Sequence, residues 1–386
     1  MKFSCKTKDI LQAIGIVSRA ISGQQALPIL GNILFQIEGK RCTLSATNLE
    51  FSIISHIEAE VENEGAITIP MKAIQNFTQY STSDEVLFES SEGSQLRCFS
   101  KKSKTVIAGE PSTEYPTIAH IQREASLTTN DHDLLDAIHY VVFASARTTT
   151  RPVLSGVYVR VVKGELILVA TDSYRLSEYR IPMQEMRGEI NCIIPARVLA
   201  EVMAVLGAAV KGREDEKEHE KKRREGGGRP VEITLSSQQM EVVVGRTKIL
   251  SRLIEGTFPN YEQILPASSL TTVTFPLGEL LSDVRRMHYF AKEGNNNLTF
   301  SISPQEALIQ TPLTQVGRDE SQIPVSAQGE KNKIALSSSY LLDFLSHVTG
   351  EEVQMEITDK MHPAVFRIPG LPNFLHLVMP LRMTEE

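Results

Sequence analysis

The 386-residue chain has no uninterrupted apolar run near the roughly 18 residues that a membrane span needs, so nothing in it reads as a transmembrane helix. No secretory leader is expected from its opening residues either. Met1-Lys2-Phe3-Ser4-Cys5 runs straight into strand-like sequence, without the apolar stretch and small-residue cleavage site of a secretory signal. Cysteine is scarce and scattered: Cys5, Cys42, Cys98 and Cys192 stand at unrelated spacings. That argues against a disulfide framework or a zinc site and fits a reducing cytoplasm.

Catalytic signatures are missing too. There is no Gly-x-x-x-x-Gly-Lys or Gly-x-Gly-x-x-Gly stretch to cradle phosphates and no Gly-x-Ser-x-Gly elbow to hold a nucleophile. His219-Glu220 opens like a zinc-protease motif, but Arg223 takes the place of the second histidine, and the nine histidines show no ligand spacing. Asp172, at a strand end, reads as a turn former bonding its own backbone rather than as a catalytic acid. The expectation is a chain without catalytic residues, metal or cofactor. Its net charge of −7 and pI near 5.8 exclude an all-over basic surface but permit basic residues gathered on one face.

What the chain does have is an internal repeat. A short strand leads into an amphipathic helix three times. Lys2–Cys5 precedes Ile10, Leu11, Ile14 and Val17; Ala125–Thr128 precedes Leu134, Leu135, Ile138, Val141 and Val142; Thr272–Phe275 precedes Leu280, Leu281, Val284 and Met287. Each set gives a helix one buried stripe. Paired β-rich runs follow, split by glycine turns at Gly39-Lys40 and Lys163-Gly164, with Leu298–Ile302 and Ala307–Thr311 as the diverged third pair. Thr47-Asn48 and Thr171-Asp172 lie 124 residues apart.

A strand into a second helix comes next. Ile67-Thr68-Ile69-Pro70 precedes Ala73, Ile74 and Phe77, and Cys192-Ile193-Ile194-Pro195 precedes Val198, Leu199 and Val202. Both prolines are expected in the first helical turn. In the third copy Ser337 is expected to cap the helix carrying Tyr340, Leu341, Phe344 and Leu345. Closing meanders begin at Glu85–Phe88, Val231–Thr234 and Val353–Ile357.

The chain is therefore expected to be α+β, with three tandem copies of one domain: residues 1–123, 124–266 and 267–386. Each copy should hold two helices and about eight strands. The mixed-charge tract from Lys211 to Arg229, ending in three glycines, reads as a flexible loop within the second copy. Arg19, Lys72, Arg147, Arg151, Arg197, Arg285 and Arg286 fall on or beside the expected helices. Helices lining a closed ring would put these charges inside, where a few phosphate contacts give sequence-independent DNA affinity. Solvated helix faces are the plainer reading of the same residues.

Four strings, in order on this repeat, resemble the bacterial DNA polymerase III beta subunit family, the replicative sliding clamps. They are Leu27-Pro28-Ile29-Leu30-Gly31-Asn32, Thr171-Asp172-Ser173-Tyr174-Arg175-Leu176, Phe258-Pro259-Asn260-Tyr261 with Leu265-Pro266, and Val378-Met379-Pro380-Leu381-Arg382-Met383. The resemblance runs from Met1 to Met383. It implies a head-to-tail homodimeric ring with helices lining the pore and sheet outside. That ring encircles double-stranded DNA topologically, is opened by a clamp loader, and gives processivity in DNA replication without chemistry of its own. DNA polymerases and repair proteins would dock on it through short linear motifs, in the cytoplasm and with no membrane. The rival reading is an adaptor or scaffold using the same triplicated fold without DNA.

By the same resemblance, a hydrophobic pocket between the second and third domains accepts the largely apolar partner peptide. Its matching positions are Leu154, Thr171, Ser173, Tyr174, Arg175 and Leu176, then Pro259, Ile264, Tyr340, Met361 and Pro363, and finally Leu377, Met379, Pro380, Leu381, Arg382 and Met383. Adaptable Met and Leu side chains suit varied ligands, and Arg175 and Arg382 are expected to anchor peptide carbonyls or an end charge. Without the resemblance, Met379–Met383 reads as a final edge strand. The family's usual Gly-His after Thr-Asp is Ser173-Tyr174 here, and Thr384-Glu385-Glu386 follows the usual ending. Where many members place a basic residue facing DNA, this chain has Gln24-Gln25. For the contact between first and third domains of two chains, Ile107, Tyr289 and Phe290 are the candidates.

Overall fold

The computed structural model describes residues 1–21, 23, 27–91, 94–118, 121–148, 150–183, 186–211 and 228–382. Most of the Lys211–Arg229 tract, including His219–Arg223, therefore lies outside the described residues, as do Gln24, Gln25 and Met383. Among the described residues there are six α-helices: α1 Thr7–Val17, α2 Met71–Gln79, α3 Asp131–Val142, α4 Ala196–Lys211, α5 Leu277–Ala291 and α6 Ser338–Leu345. Among the described residues each copy of the repeat carries nine strands, against the about eight expected. No described helix is long and apolar enough to cross a membrane.

The chain divides into two compact units, and the division passes through the middle copy of the repeat. The first unit comprises Met1–His132, Glu185–Glu189 and Glu201–Leu253. It holds a five-stranded sheet in the order β5 (Glu60–Asn63), β1 (Lys2–Lys6), β7 (Glu85–Ser91), β8 (Gln95–Ser100), β9 (Ser103–Ala108). Its second sheet has nine strands. The middle copy contributes β14 (Met186–Arg187), β10 (Ala125–Asn130), β16 (Pro230–Leu235), β17 (Gln239–Val244) and β18 (Thr247–Arg252). The first copy continues it with β4 (Phe51–Glu58), β3 (Arg41–Thr47), β2 (Asn32–Glu38) and β6 (Gly65–Pro70). The seam is antiparallel, pairing Thr247 with Ser55 through Ser251 with Phe51. Ile10, Ile14 and Val17 of α1 are buried, as the helical spacing requires, and Phe3 stacks on Phe88 at 5.0 Å.

The second unit comprises Asp133–Gln184, Ile190–Ala200 and Ile254–Glu386. Its nine-stranded sheet repeats the plan. From the middle copy come β15 (Asn191–Pro195), β11 (Gly156–Val162), β12 (Glu165–Thr171) and β13 (Arg175–Pro182). From the third come β27 (Phe374–Val378), β26 (Ala364–Arg367), β25 (Glu352–Ile357), β19 (Thr271–Pro276) and β23 (Ser326–Gly329). The seam here pairs Arg175 with Val378 through Tyr179 with Phe374. A four-stranded sheet, β22 (Glu320–Pro324), β21 (Glu306–Gln310), β20 (Asn297–Ile302), β24 (Asn332–Ser337), completes the unit. Leu280, Val284 and Met287 of α5 and Phe344 of α6 lie in its core.

Three local expectations need correction. Pro70 and Pro195 do not enter the first helical turn: each ends its strand one residue before the helix, at Met71 and Ala196. A proline at a strand end gives up no helical hydrogen bond, so the missing N–H is equally harmless there. Ser337 stands at the N-cap of α6, but its side chain makes no cap bond. The Ser338 N–H instead donates to the Asn296 carbonyl at 2.7 Å, so a backbone acceptor does the capping. Met379–Arg382 is not an edge strand, because β27 ends at Val378 in mid-sheet.

Candidate functional site

The 124-residue offset in the sequence is a repeat of hydrogen bonds. Thr171 Oγ1 donates to the Arg175 carbonyl (2.6 Å) and accepts from the Ser173 N–H (3.1 Å), while Asp172 Oδ1 accepts from the N–H groups of Tyr174 (2.9 Å) and Arg175 (3.1 Å). In the first copy Thr47 Oγ1 donates to the Phe51 carbonyl and accepts from Leu49, and Asn48 Oδ1 accepts from Glu50 and Phe51. Each turn reverses the chain between two strands and needs a left-handed third residue: Leu49 has φ +75° and Ser173 has φ +80°. Asp172 is thus a turn former. The strand beyond each seam closes the turn the same way. The Met379 N–H donates to the Tyr174 carbonyl at 2.8 Å, and the Arg252 N–H to the Glu50 carbonyl at 3.0 Å.

In the second unit this turn caps an apolar cluster. Leu154, Leu176 and Leu377 are buried in it with Ile167, Val169, Ile193, Phe258, Tyr261 and Val365, and Met379 packs against it half-buried. Four of the expected pocket residues are therefore brought together. The other cluster members were missed. Ile167 and Val169 of β12, Ile193 of β15 and Val365 of β26 lie in apolar strand runs, which mark core without marking which core lies near a surface.

The turn's polar half is built around Arg175, which is only 3% exposed. Its guanidinium is committed on three sides: Nε to Asp172 Oδ2 (3.0 Å), Nη1 to Asp343 Oδ2 (2.8 Å) and Nη2 to the Phe143 carbonyl (2.9 Å). It lies over the Tyr340 ring at 4.9 Å and the Phe143 ring at 5.7 Å. The expectation that Arg175 reaches out to a peptide is corrected: it braces the turn, because a buried cation spends its donors on whatever carboxylates and carbonyls surround it. Burial, with Asp172 nearby, raises the Tyr340 hydroxyl above its ordinary range. Beneath, His376 stacks on Phe344 at 4.5 Å and hydrogen-bonds Ser177 through Nδ1 (2.8 Å). Complete burial pushes His376 well below the usual imidazole range, with Arg175 and His347 adding to the effect.

The remaining pocket candidates sit as follows. Tyr174 is 61% exposed and stacks on Tyr340 at 6.3 Å. Pro259 is exposed beside Phe258, Ile264 is partly exposed at the end of the short helix that begins with the buried Tyr261, and Pro363 is buried just before β26. Met361 is 74% exposed, on a turn where Asp359 accepts its N–H. Pro380 and Leu381 are half-buried; the Leu381 N–H donates to the Ala335 carbonyl, and the Arg382 carbonyl accepts from Asn297.

The basic residues expected on or near helices are largely exposed, but several are spoken for. Arg19 pairs with Glu201 (3.0 Å), Arg147 reaches Asp343 (3.4 Å), and Arg286 pairs with Asp283 and Asp319 (both 3.2 Å). Lys72, Arg151, Arg197 and Arg285 have exposed side chains. Among the dimer candidates, Tyr289 is exposed and meets Phe290 edge-on at 5.4 Å. Ile107 is a correction: it is 6% exposed, inside its own core, whereas Val106 beside it is 50% exposed. Strand alternation puts neighbours on opposite faces, and the sequence choice fell on the inner one.

Comparison with known proteins completes the picture. Residues 1–119, 128–212 and 262–382 match the N-terminal, central and C-terminal domains of the DNA polymerase III beta subunit. A beta sliding clamp of Synechocystis is 25% identical over 395 residues, with 100% of both chains covered. The DNA polymerase sliding clamp of Bacillus subtilis superimposes with a TM-score of 0.89 at 24% identity, covering 100% of both chains. The beta subunit of Streptococcus pyogenes does so at 0.91 and 22% identity, covering 99% of this chain and 100% of the other. With its three-domain clamp fold, the chain belongs to the DNA polymerase III beta subunit family.

Proposed function

We propose that the chain is one protomer of a DNA sliding clamp, a non-catalytic homodimeric ring that encircles duplex DNA and tethers the replicative polymerase. The carrying observation is the match of all three family domains in order along the chain. The domains are taken as 1–123, 124–266 and 267–386. Head-to-tail closure is supported by sheet edges: β9 ends the five-stranded sheet and β22 ends the four-stranded one, so each offers unpaired backbone groups to a second chain. Exposed Lys72, Arg151, Arg197 and Arg285 supply the phosphate contacts of a sequence-independent pore, and Arg19, Arg147 and Arg286 are assigned to the same set. A loader opens the ring in the cytoplasm, and polymerases and repair proteins dock at the Leu154–Leu176–Leu377–Met379 cluster through short linear motifs.

The test compares retention on nicked circular DNA with retention on the same DNA linearised, after loading. A ring stays on the circle and slides off the free ends. Equal retention on both overturns the reading. For the docking cluster, deletion of residues 379–386 is expected to abolish binding of polymerase-derived peptides, and intact binding overturns that assignment.

A further inference from the structure

Two arginines share one carboxylate oxygen in the second unit. Asp343 Oδ2, on α6, lies 2.8 Å from Arg175 Nη1 and 3.4 Å from Arg147 Nη2. The two cations differ in setting. The Arg175 side chain is 3% exposed and also donates to Asp172 and the Phe143 carbonyl, whereas that of Arg147, in the segment after α3, is 83% exposed. Asp172 in turn fixes the docking turn. Its Oδ1 accepts from the N–H groups of Tyr174 and Arg175, and the Met379 N–H closes the turn on the Tyr174 carbonyl. Charges of alternating sign thus run from solvent to the turn, in the order Arg147, Asp343, Arg175, Asp172. Two cations on one oxygen repel each other and divide its lone pairs. The inner contact is short and desolvated. The outer one is long and screened, so it is the one that a competing anion takes.

We propose that Asp343 is a positioning residue that couples DNA in the pore to the rigidity of the docking turn. The coupling rests on the pore and docking assignments made above. A phosphate that draws Arg147 away leaves Asp343 to Arg175 alone and removes a like charge from beside the buried guanidinium. Arg175 is then held more firmly, and with it Asp172 and the backbone of the turn. A turn already fixed loses less freedom when a partner docks, so DNA inside the ring favours docking. The effect runs both ways: a partner that binds the tightened turn raises DNA affinity by the same factor. Because the outer pair is exposed, that factor is small.

The experiment follows hydrogen exchange at the amides of Tyr174, Arg175 and Met379 in the full chain, with and without a DNA duplex of about 30 base pairs, whose free ends can thread a closed ring. DNA is expected to slow exchange at these amides about two- to fivefold. Arg147→Ala should slow it similarly without DNA, since it too releases Asp343; DNA should then bind more weakly and add no further slowing. Asp343→Asn should exchange faster and show no response to DNA. Arg246→Ala, which removes an exposed partner of Glu58 in the other unit, should leave the three amides unchanged. Faster exchange in Arg147→Ala overturns the coupling and leaves the clamp reading standing. So does DNA whose binding depends on Arg147 but leaves the three amides unchanged. Undiminished DNA affinity in Arg147→Ala removes that arginine from the pore, and the coupling with it. If the duplex does not bind the wild-type chain, the clamp reading itself is overturned.

Discussion

Arg175 and Asp343 meet at 2.8 Å across 168 positions of sequence, tying strand β13 of the middle copy to helix α6 of the third. The arginine is almost wholly buried and the aspartate about one-third exposed, so the pair is desolvated on one side only. Removing the acid alone would leave a buried cation short of a partner, which costs far more than losing an exposed pair. Asp343→Asn is expected to lower unfolding free energy by about 2–3 kcal/mol and Arg175→Ala by about 3–5 kcal/mol. The two losses should be markedly non-additive in a double-mutant cycle read by urea denaturation.

Ser173 holds a left-handed backbone at φ +80° where the resemblance leads one to expect glycine. A side chain there costs about 1–2 kcal/mol of strain, part of which glycine returns as extra freedom in the unfolded chain. Ser173→Gly should stabilise the chain by about 0.5–1 kcal/mol, seen as a rise in thermal midpoint. A fall would mean that the Ser173 side chain makes a compensating contact.

Charge reversal tests the pore. Changing Arg147, Arg197 and Arg285 together to Glu should weaken retention on circular DNA at least tenfold at about 0.1 M salt, with the folded-state spectrum unchanged. Unchanged retention would remove these residues from the DNA-facing surface.

The neighbouring Val106, exposed, and Ile107, buried, separate assembly from folding. Val106→Asp is expected to shift the protein from dimer to monomer in sedimentation with little loss of monomer stability. Ile107→Ala should instead cost about 2–4 kcal/mol of stability, as a truncated core isoleucine does.

Stability should fall on mild acidification. His376 is held below the ordinary imidazole range by burial, and His56 and His288 are lowered too, each chiefly by partial burial. A group with a depressed folded pKa binds its proton more readily in the unfolded chain, so unfolding takes up protons as pH drops below about 6.5. Stability is then intact above that pH and declines below it, by at most about 1.4 kcal/mol per pH unit for each such proton. His376→Gln should flatten the decline between pH 7 and 5 in urea titrations.

The repeat was legible because its signals are local. Apolar spacing marked the stripe of α1, and the Thr-Asn and Thr-Asp pairs marked turns whose bonds close within four residues. Leu154, Leu176, Leu377 and Met379 could be placed together only through the family resemblance, since nothing in their spacing says that two distant copies of the repeat share one cluster. Arg175 shows the limit from the other side. In sequence it is a free cation beside a turn; its role is set by Asp343 and the Phe143 carbonyl, neither of which sits near it in the chain. Ile107 failed for a smaller reason. Every residue of β9 but Ile107 is exposed, so no period-two pattern marks the inward position; it is set by the pairing of Ile107 with Leu96 in the neighbouring strand.

The two seams, β18 on β4 and β13 on β27, are made by main-chain N–H and C=O groups. Such groups are the same in every residue but proline, so the join between one copy and the next does not depend on which side chains flank it. Sequence can drift along these strands with little penalty so long as inward positions stay apolar. A chain only one-quarter identical to the Synechocystis protein can therefore keep its copies joined in register.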